Sequence, residues 1–453
     1  MCGIIGIYNH QNAASKAALG LFAEQHRGQE SCGMAVTDGK IIKLRKKMGL
    51  VKEVFTQEVL ENFNGNIAIG HVRYPTRGAS SVYNSQPHLV ETLAGPSYAL
   101  TSNGDIVNYA EIRKDLEKEG VYFASNNDGE LLLKFIVYQI EKQGKSTVDA
   151  IRFLMEKVKG AFSTVLATRN ALYMFRDPFG FRPMSYGKTK DGSVVVASES
   201  SALDILYMDW SKEIKPAEII VADENGITEI SNETKIYRNT SEERHCIFEH
   251  IYFSRPDSVI FGENVYQVRK KIGEMLAEND EIIADAVIPV PDSANFIALG
   301  YAEKKKIPFE LGLIRNHYVG RTFIKPEQTI RDESVFQKFN VLPNFFENKK
   351  IVLIDDSIVR GTTLKKIVKL IRNAGVKEIH LRIGSPAVKY SCFYGIDTPT
   401  REELIANNKT VSEIKEYIGA DSLKYLSIPQ LRKTVSEPES YCYACFNGKY
   451  PVK

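Results

Sequence analysis

Residues 350–363 read KIVLIDDSIVRGTT, and this stretch decides the architecture of the second half of the chain. An apolar strand ends in Asp355 and Asp356, and a loop with a glycine then opens a helix predicted over Thr362–Asn373. Open α/β sheets bind ligands at such strand ends, and the amides at a helix start suit a phosphate. The two carboxylates suit ribose hydroxyls or Mg²⁺. The alternative is a simple helix cap at Thr362.

Strand-like and helix-like segments alternate around this stretch, which predicts a parallel α/β sheet. The expected helices are residues 264–278 and 293–304, and the expected strands are residues 285–290, 309–314 and 378–383. The first half instead has short β-branched and aromatic runs broken by Gly, Asn and Asp, with helical stretches between them. That mixture predicts an α+β domain of stacked, mostly antiparallel sheets. We therefore expect domains at residues 2–230 and 231–453, joined by a polar segment at 231–243.

Composition excludes several classes of protein. The net charge of +3 over 453 residues gives no electrostatic reason to expect a nucleic-acid or membrane partner. No apolar run approaches the roughly 20 residues of a membrane span, and the start does not resemble a secretory signal. Six cysteines in such a chain are typical of a reducing compartment. We expect a cytoplasmic protein.

The stretch at 350–363 resembles the phosphoribosylpyrophosphate (PRPP) signature of type I phosphoribosyltransferases. The resemblance implies that Asp355 and Asp356 hold the ribose diol with Mg²⁺ nearby. It implies that the 5-phosphate is wrapped by a loop containing Ser357, Arg360, Gly361, Thr362 and Thr363. Residues 288–294 resemble the family's pyrophosphate loop and would supply Asp292 and Ser293, the latter also a Mg²⁺ ligand. Residues 315–326 resemble the flexible lid, which would contribute Lys325 and close over a water-sensitive ribosyl centre.

The chain begins with MCGIIGI. Removing the initiator methionine would leave Cys2 with a thiol (pKa near ~8.5) and an α-amine (near ~7.7–8.0), so a proton can pass between them near neutral pH. A hydrolase can use that pair as nucleophile and base. A cysteine at this position also occurs by chance, so its neighbours decide its role.

Three motifs accompany Cys2, and each has a simpler alternative. Arg73 could hold a carboxylate through a bidentate fork, or form a surface salt bridge. Asn103 and Gly104 could aim two donors at an oxyanion, although Asn-Gly most often forms a hairpin turn. Asp128 could bind a substrate ammonium, or cap a helix.

Together these motifs resemble the N-terminal-nucleophile (class II) glutamine amidotransferase domain over about residues 2–230. The resemblance implies that Cys2 attacks the glutamine amide and that Asn103 and Gly104 form the oxyanion hole. It also implies that Arg73 and Asp128 bind the carboxylate and ammonium of glutamine. Residues 177–183 and 197–200 resemble family segments as well, with turn or packing roles as the default.

Of the other cysteines, Cys32 is expected to be buried and inert. Two distant thiols and a C-x-x-C motif leave zinc and a [4Fe–4S] cluster both open. The set resembles the iron–sulfur branch of the glutamine PRPP amidotransferases, which implies a structural [4Fe–4S] cluster. Its ligands would be Cys246, Cys392, Cys442 and Cys445.

The combined resemblance implies glutamine and PRPP as substrates, with 5-phospho-β-D-ribosylamine, pyrophosphate and glutamate as products. This reaction is the first committed step of de novo purine biosynthesis. Family precedent adds purine nucleotides as feedback inhibitors and a homotetramer. Two alternatives remain: another amidotransferase with the same cysteine module, and a PRPP-sensing regulator without chemistry.

Overall fold

The computed structural model describes residues 1–75, 78–231, 243–316 and 338–452. Two antiparallel sheets form its first half. Their strands are β1 (Gly3–Tyr8), β2 (Ser31–Thr37), β3 (Ile42–Met48), β4 (Ile67–Arg73), β5 (His88–Thr92), β6 (Gly95–Ile106), β7 (Gly160–Ala167), β8 (Leu172–Arg176), β9 (Ser185–Lys188), β10 (Val194–Ala197), β11 (Trp210–Glu213), β12 (Ile219–Asp223) and β13 (Gly226–Ile230). One sheet has the order β11-β9-β10-β1-β4-β2-β3 and the other β13-β12-β8-β7-β6-β5. The predicted antiparallel architecture is confirmed.

The two sheets pack face to face, and helices cover their outer faces. Buried side chains from both sheets, such as Ile4, Ile69, Val165 and Met174, form the layer between them. The longer helices are Ala13–Ala23, Tyr109–Lys118, Asp128–Glu141 and Thr147–Lys157, and the shorter ones are Val51–Val54, Gln57–Glu61 and Ser200–Ile205. Because β1 lies between β10 and β4, the start of the chain runs through the middle of its sheet.

The second half is built on a four-stranded parallel sheet. The strands of this half, inside and outside that sheet, are β14 (His245–Cys246), β15 (Val259–Ile260), β16 (Glu263–Asn264), β17 (Ala286–Pro289), β18 (Leu313–Arg315), β19 (Phe339–Val341), β20 (Lys350–Asp355), β21 (Glu378–Ile383), β22 (Ser422–Tyr425) and β23 (Tyr441–Cys442). The sheet has the order β17-β20-β21-β22. Helices run over Val265–Ala277, Asn295–Lys305, Thr362–Asn373, Ile405–Asn408, Val411–Ile418, Ile428–Arg432 and Ala444–Asn447. The predicted parallel α/β sheet is confirmed.

One local expectation was wrong, and one alternative does not hold. The predicted strand at residues 309–314 makes a single parallel bridge, from Phe309 to Val287 of β17, and then only the short β18, which pairs with β19 outside the parallel sheet. Gly312 interrupts this segment, and Ile314 is 45% exposed, so it lacks the two-sided burial of a central strand. The Asn-Gly pair at 103–104 is not a hairpin turn, because β6 runs through it.

The two halves are in direct contact. Arg27 of the first half binds Glu249 of the second, and Arg182 donates to the carbonyl of Tyr394 at 2.9 Å. A parallel pairing of β14 with β23 ties the C-terminal end to the segment that follows the junction. Most of the predicted junction, residues 232–242, lies outside the described residues, so the boundary near 231 stays a prediction. Within the described parts of the chain, no helix is both long and apolar enough to cross a membrane.

Candidate active site

Cys2 lies at the start of the central strand β1 and is held by contacts on every side. Its backbone N–H donates to Asn103 Oδ1 at 3.0 Å, and its carbonyl accepts from Arg27 Nε at 2.9 Å. Its Sγ lies 3.5 Å from the backbone N of Tyr74. Met1 is buried as well, and this burial lowers the pKa of its amine to about 5. The thiol therefore occupies a fixed position inside the protein.

The side-chain amide of Asn103 has one end paired and one end available. Its Oδ1 accepts from Cys2, whereas its Nδ2 is buried without a hydrogen-bond partner among the described residues. A buried donor without a partner costs about 1–3 kcal/mol, so such a group indicates an acceptor supplied by a ligand. The pairing of Asn103 with Ser163 across β6 and β7 holds this donor beside the thiol.

The predicted glutamine-site residues meet in one cavity. Its lining includes Cys2, Arg73, Tyr74, Gly104 and Asp128. Apart from Asn103, which contacts Cys2 directly, every predicted residue of this site therefore contributes to a single pocket.

Arg73 and Asp128 are both buried in this pocket, and neither has the simple alternative role. Arg73 is 1% exposed and donates to Glu30 Oε2 at 2.5 Å, so it does not form a surface salt bridge. The helix at Asp128–Glu141 is capped by Asn127, whose Oδ1 accepts from Gly129 N at 2.9 Å. Asp128 instead accepts from the backbone N–H of Ile106 at 2.9 Å.

Sequence reasoning missed Glu30 and Gln86. Glu30 orients the guanidinium of Arg73, and only the pairing of β2 with β4 brings them together. Gln86 lines the cavity and bridges Ser102, accepting from its N–H at 2.7 Å and donating to its carbonyl at 3.1 Å. No local signal marked either residue.

A buried ionic cluster lies behind Cys2. Arg27 binds Glu199 at 2.5 Å and Glu249 at 2.8 Å, with all three side chains fully buried. Burial alone would raise the pKa of Glu199, but the positive charges of His26 and Arg27 hold it below its ordinary value. This contact gives residues 197–200 a structural role.

Residues 177–183 also have a structural role. Asp177 is fully buried and accepts the backbone N–H groups of Phe162 at 3.1 Å and Phe179 at 2.9 Å, which organises a turn. Arg182, at the other end of this segment, reaches the second half of the chain.

A second site lies at the carboxyl end of the parallel sheet. Because β17 is adjacent to β20, the residues that follow the two strands come together. Asp356 accepts from the hydroxyls of Ser293 at 2.5 Å and Ser357 at 2.6 Å. Asp355 Oδ1 accepts from the backbone N–H of Asp356 at 2.9 Å. The two loops predicted to bind PRPP thus lie side by side at the same edge of the parallel sheet.

This edge concentrates negative charge in a buried setting. Burial raises the pKa of Asp355 well above its ordinary value, and the neighbouring Asp356 raises it further. Burial also raises the pKa of Asp356, while Ser293 and Ser357 partly offset that effect. Two buried carboxyls side by side favour binding of a cation or of sugar hydroxyls.

The loop predicted to bind the 5-phosphate has the expected helix start. Gly361 has φ +75° and caps the helix Thr362–Asn373, with its N-terminal amides at the end of the loop. Arg360 forms an exposed ion pair with Glu403 at 2.9 Å, and Asp292 pairs with Arg315. Of the predicted lid at 315–326, residues 317–326, including Lys325, lie outside the described residues.

The four remaining thiols surround a second cavity. Cys246, Cys392, Cys442 and Cys445 line it together with Arg182. Pairing of β14 with β23 sets Cys246 opposite Cys442. Burial raises the pKa of Cys246 to about 11 and that of Cys442 to about 12.

Cys32 is separate from this group. It is fully buried in β2, and burial raises its pKa to about 12. The expectation of a buried packing thiol is confirmed.

Comparison with known proteins assigns both halves. A glutamine amidotransferase domain model matches residues 71–205, and a phosphoribosyl transferase domain model matches residues 263–383. Amidophosphoribosyltransferase 2 of Arabidopsis thaliana is 46% identical, with all of this chain and 79% of the relative covered. The amidophosphoribosyltransferase of Methanocaldococcus jannaschii is 44% identical, with 100% and 98% covered.

The chain belongs to the amidophosphoribosyltransferase family. A solved structure supports the assignment: glutamine PRPP amidotransferase from B. subtilis, complexed with ADP and GMP, superposes with a TM-score of 0.90. It is 40% identical and covers 100% of this chain and 98% of its own. The predicted fold and amidophosphoribosyltransferase activity are therefore confirmed, with both catalytic halves in one chain.

Proposed function

We propose that this amidophosphoribosyltransferase hydrolyses glutamine at Cys2 and delivers the ammonia to PRPP at the Asp355–Asp356 edge. The amide of Asn103 carries the first part of this assignment, because one end binds Cys2 and the other end is a buried, available donor. The reaction yields 5-phospho-β-D-ribosylamine, pyrophosphate and glutamate, and begins purine biosynthesis.

Glutamine hydrolysis requires the α-amine of Cys2, so Met1 is removed first. The amine takes the thiol proton, and Sγ attacks the amide carbon while the carbonyl electron pair moves to oxygen. Asn103 Nδ2 and the Gly104 N–H stabilise that oxyanion. The intermediate expels ammonia, which takes a proton from the α-ammonium, and water hydrolyses the thioester to glutamate and the thiol.

Glutamine is oriented by two buried charges. Arg73 binds its carboxylate, with the guanidinium plane fixed by Glu30. Asp128 binds its ammonium, with the carboxylate anchored on the N–H of Ile106. Opposite charges at two sides of one cavity favour an α-amino acid over a simple amide.

The ammonia lone pair then attacks the anomeric carbon of PRPP, and the bond to pyrophosphate breaks with its electrons leaving on oxygen. Asp355 and Asp356 hold the ribose diol, and the loop from Ser357 through Arg360 to Thr363 holds the 5-phosphate. Ser293 and the two aspartates supply the hard oxygen donors that Mg²⁺ prefers, and Mg²⁺ would neutralise the departing pyrophosphate. Asp292 and Lys325 remain predicted pyrophosphate contacts.

We also propose that the four-thiol cavity holds a [4Fe–4S] cluster. Four thiols line one internal space, and an all-cysteine donor set is the one that a [4Fe–4S] cluster takes. Cys246, Cys392, Cys442 and Cys445 would hold it, and its role would be to fasten the C-terminal end to β14.

Nucleotide regulation and a homotetramer are proposed on the precedent of the family, and the cytoplasmic location on the expectation from the sequence. The B. subtilis relative was solved with ADP and GMP. We extend that to feedback inhibition by purine nucleotides here, in a cytoplasmic homotetramer.

The division of labour is tested by measuring phosphoribosylamine formation with glutamine or with ammonia as nitrogen donor. Cys2→Ala should abolish the glutamine-dependent reaction and spare the ammonia-dependent one. Asp355→Asn should abolish both. Equal loss of both reactions in Cys2→Ala, or retained synthesis in Asp355→Asn, would contradict the assignment.

The cluster is tested separately by assaying iron and acid-labile sulfide in anaerobically purified protein. About four of each per chain are expected, with loss of both in Cys445→Ser. Zinc at one per chain would contradict the cluster.

A further inference from the structure

Gly395 brings the second half of the chain against the oxyanion strand of the first. A Cβ placed on Gly395 would lie 3.0 Å from the carbonyl carbon of Gly104 and 3.1 Å from its oxygen. Contacts this close to backbone atoms cannot be relieved by rotating a side chain. Gly395 also has φ +98°, a conformation that favours glycine. The backbone conformation therefore favours glycine here, and a Cβ would fit only if Gly104 moved by a few tenths of an ångström.

Gly104 is equally restricted on its other side. A Cβ on Gly104 would lie 1.8 Å from the carbonyl oxygen of Ala161 in β7. The residue is paired with Phe162 in that strand and contacts Gly395 across from it. The backbone of Gly104 is thus held between its own sheet and a segment more than half the chain away.

The segment that carries Gly395 is itself anchored to both halves. The ring of Tyr394 stacks on Phe181, with centroids 4.3 Å apart. The carbonyl of Tyr394 accepts from Arg182, and its hydroxyl donates to the carbonyl of Val452 at 2.7 Å. These contacts hold the backbone at Gly395 in a fixed position.

We propose that Gly395 is a positioning residue for the oxyanion-binding N–H of Gly104. The inference rests on the proposed role of Gly104 in glutamine hydrolysis. Oxyanion stabilisation depends on donors fixed before the reaction, and a misplacement of about 1 Å can lower a rate by about 10²-fold. The glutaminase half accordingly needs the phosphoribosyltransferase half to complete its oxyanion hole.

Gly395→Ala in the full-length enzyme tests this role, because the added methyl pushes directly on Gly104. The kcat of glutamine hydrolysis should fall about 10- to 100-fold, with the KM for glutamine changed by less than about threefold. Ammonia-dependent synthesis should stay within about twofold, which a general loss of structure would not allow.

Gly419→Ala is the matched control. Gly419 has φ +88°, and its added Cβ would find no atom closer than Val368 Cγ1 at 3.7 Å. It introduces the same kind of backbone strain without touching either site, so the kcat and KM of glutamine hydrolysis should be unchanged.

Unchanged glutamine hydrolysis in Gly395→Ala, or an equal loss of ammonia-dependent synthesis, would overturn the proposal. If Gly395→Ala does not fold, Tyr394→Phe provides the test. This change removes the hydrogen bond to Val452 that anchors the residue before Gly395, and it keeps the aromatic ring. A smaller loss confined to glutamine hydrolysis supports the role, and no loss or a parallel loss overturns it. Glutamine hydrolysis retained in Cys2→Ala would instead refute the proposed function itself.

Discussion

Replacing Asn103 tests the proposed oxyanion hole independently of the PRPP site. Asn103→Asp keeps an oxygen towards Cys2 N and replaces the Nδ2 donor, whereas Asn103→Ala removes both groups. Losing one such donor lowers kcat by about 10²–10³-fold, or about 2.7–4 kcal/mol. The buried Nδ2 has no competing partner among the described residues, so we expect the upper part of this range. The N–H of Gly104 remains and prevents complete loss.

The assay compares glutamine hydrolysis with ammonia-dependent synthesis in the same preparation. Both variants should retain the KM for glutamine and the ammonia-dependent rate. Asn108→Ala is the control, because Asn108 follows the same strand but binds Lys157 and Lys159 outside the cavity. A fall in kcat of less than about tenfold, or a fall equally large with ammonia, would refute the reasoning.

Three further outcomes can be measured. Burial lowers the pKa of His250 to about 3, so below its ordinary pKa of 6.5 the unfolded chain takes up a proton that the folded chain excludes. Lowering the pH from 7 to 5 should therefore reduce the free energy of unfolding of the wild-type protein by about 2 kcal/mol more than that of His250→Phe, as measured by urea unfolding. The same pH dependence in both proteins would contradict this. Arg27→Ala removes the partner that the buried carboxylates Glu199 and Glu249 share, leaving them only His26 and Arg182, and should lower the free energy of unfolding by about 3 kcal/mol, against less than about 1 kcal/mol for the exposed Arg152→Ala; similar costs would contradict the buried cluster. Asp128→Asn should raise the KM for glutamine at least about tenfold in steady-state assays and leave that for PRPP unchanged.

The second half could be predicted in detail because its signals are local. The strand, acids, loop and helix at 350–373 follow one another directly in the chain, and the helix bounds at Thr362–Asn373 agree with the structure. The strand predicted at 309–314 failed because apolar content alone does not show which segment has neighbours on both sides.

The geometry of the proposed glutaminase site could not be predicted from local patterns, because it is set by contacts between residues far apart in the sequence. Cys2 and Asn103 are 101 positions apart, and the pairing of strands sets their hydrogen bond. The turn preference of Asn-Gly was overridden because pairing with β7 satisfies the backbone in an extended form. Glu30, behind Arg73, was missed for the same reason: strand register brings it there.

The burial of Met1 sets a time limit on maturation. If the α-amine of Cys2 is the base that we propose, an aminopeptidase has to reach Met1, yet in the finished fold this residue is 1% exposed. One side of β1 stays open until β10, which begins at Val194, has been synthesised. At about 5–20 residues per second, that interval lasts roughly 10–40 s. Processing therefore competes with sheet closure, and chains that close first would keep a capped, inactive nucleophile.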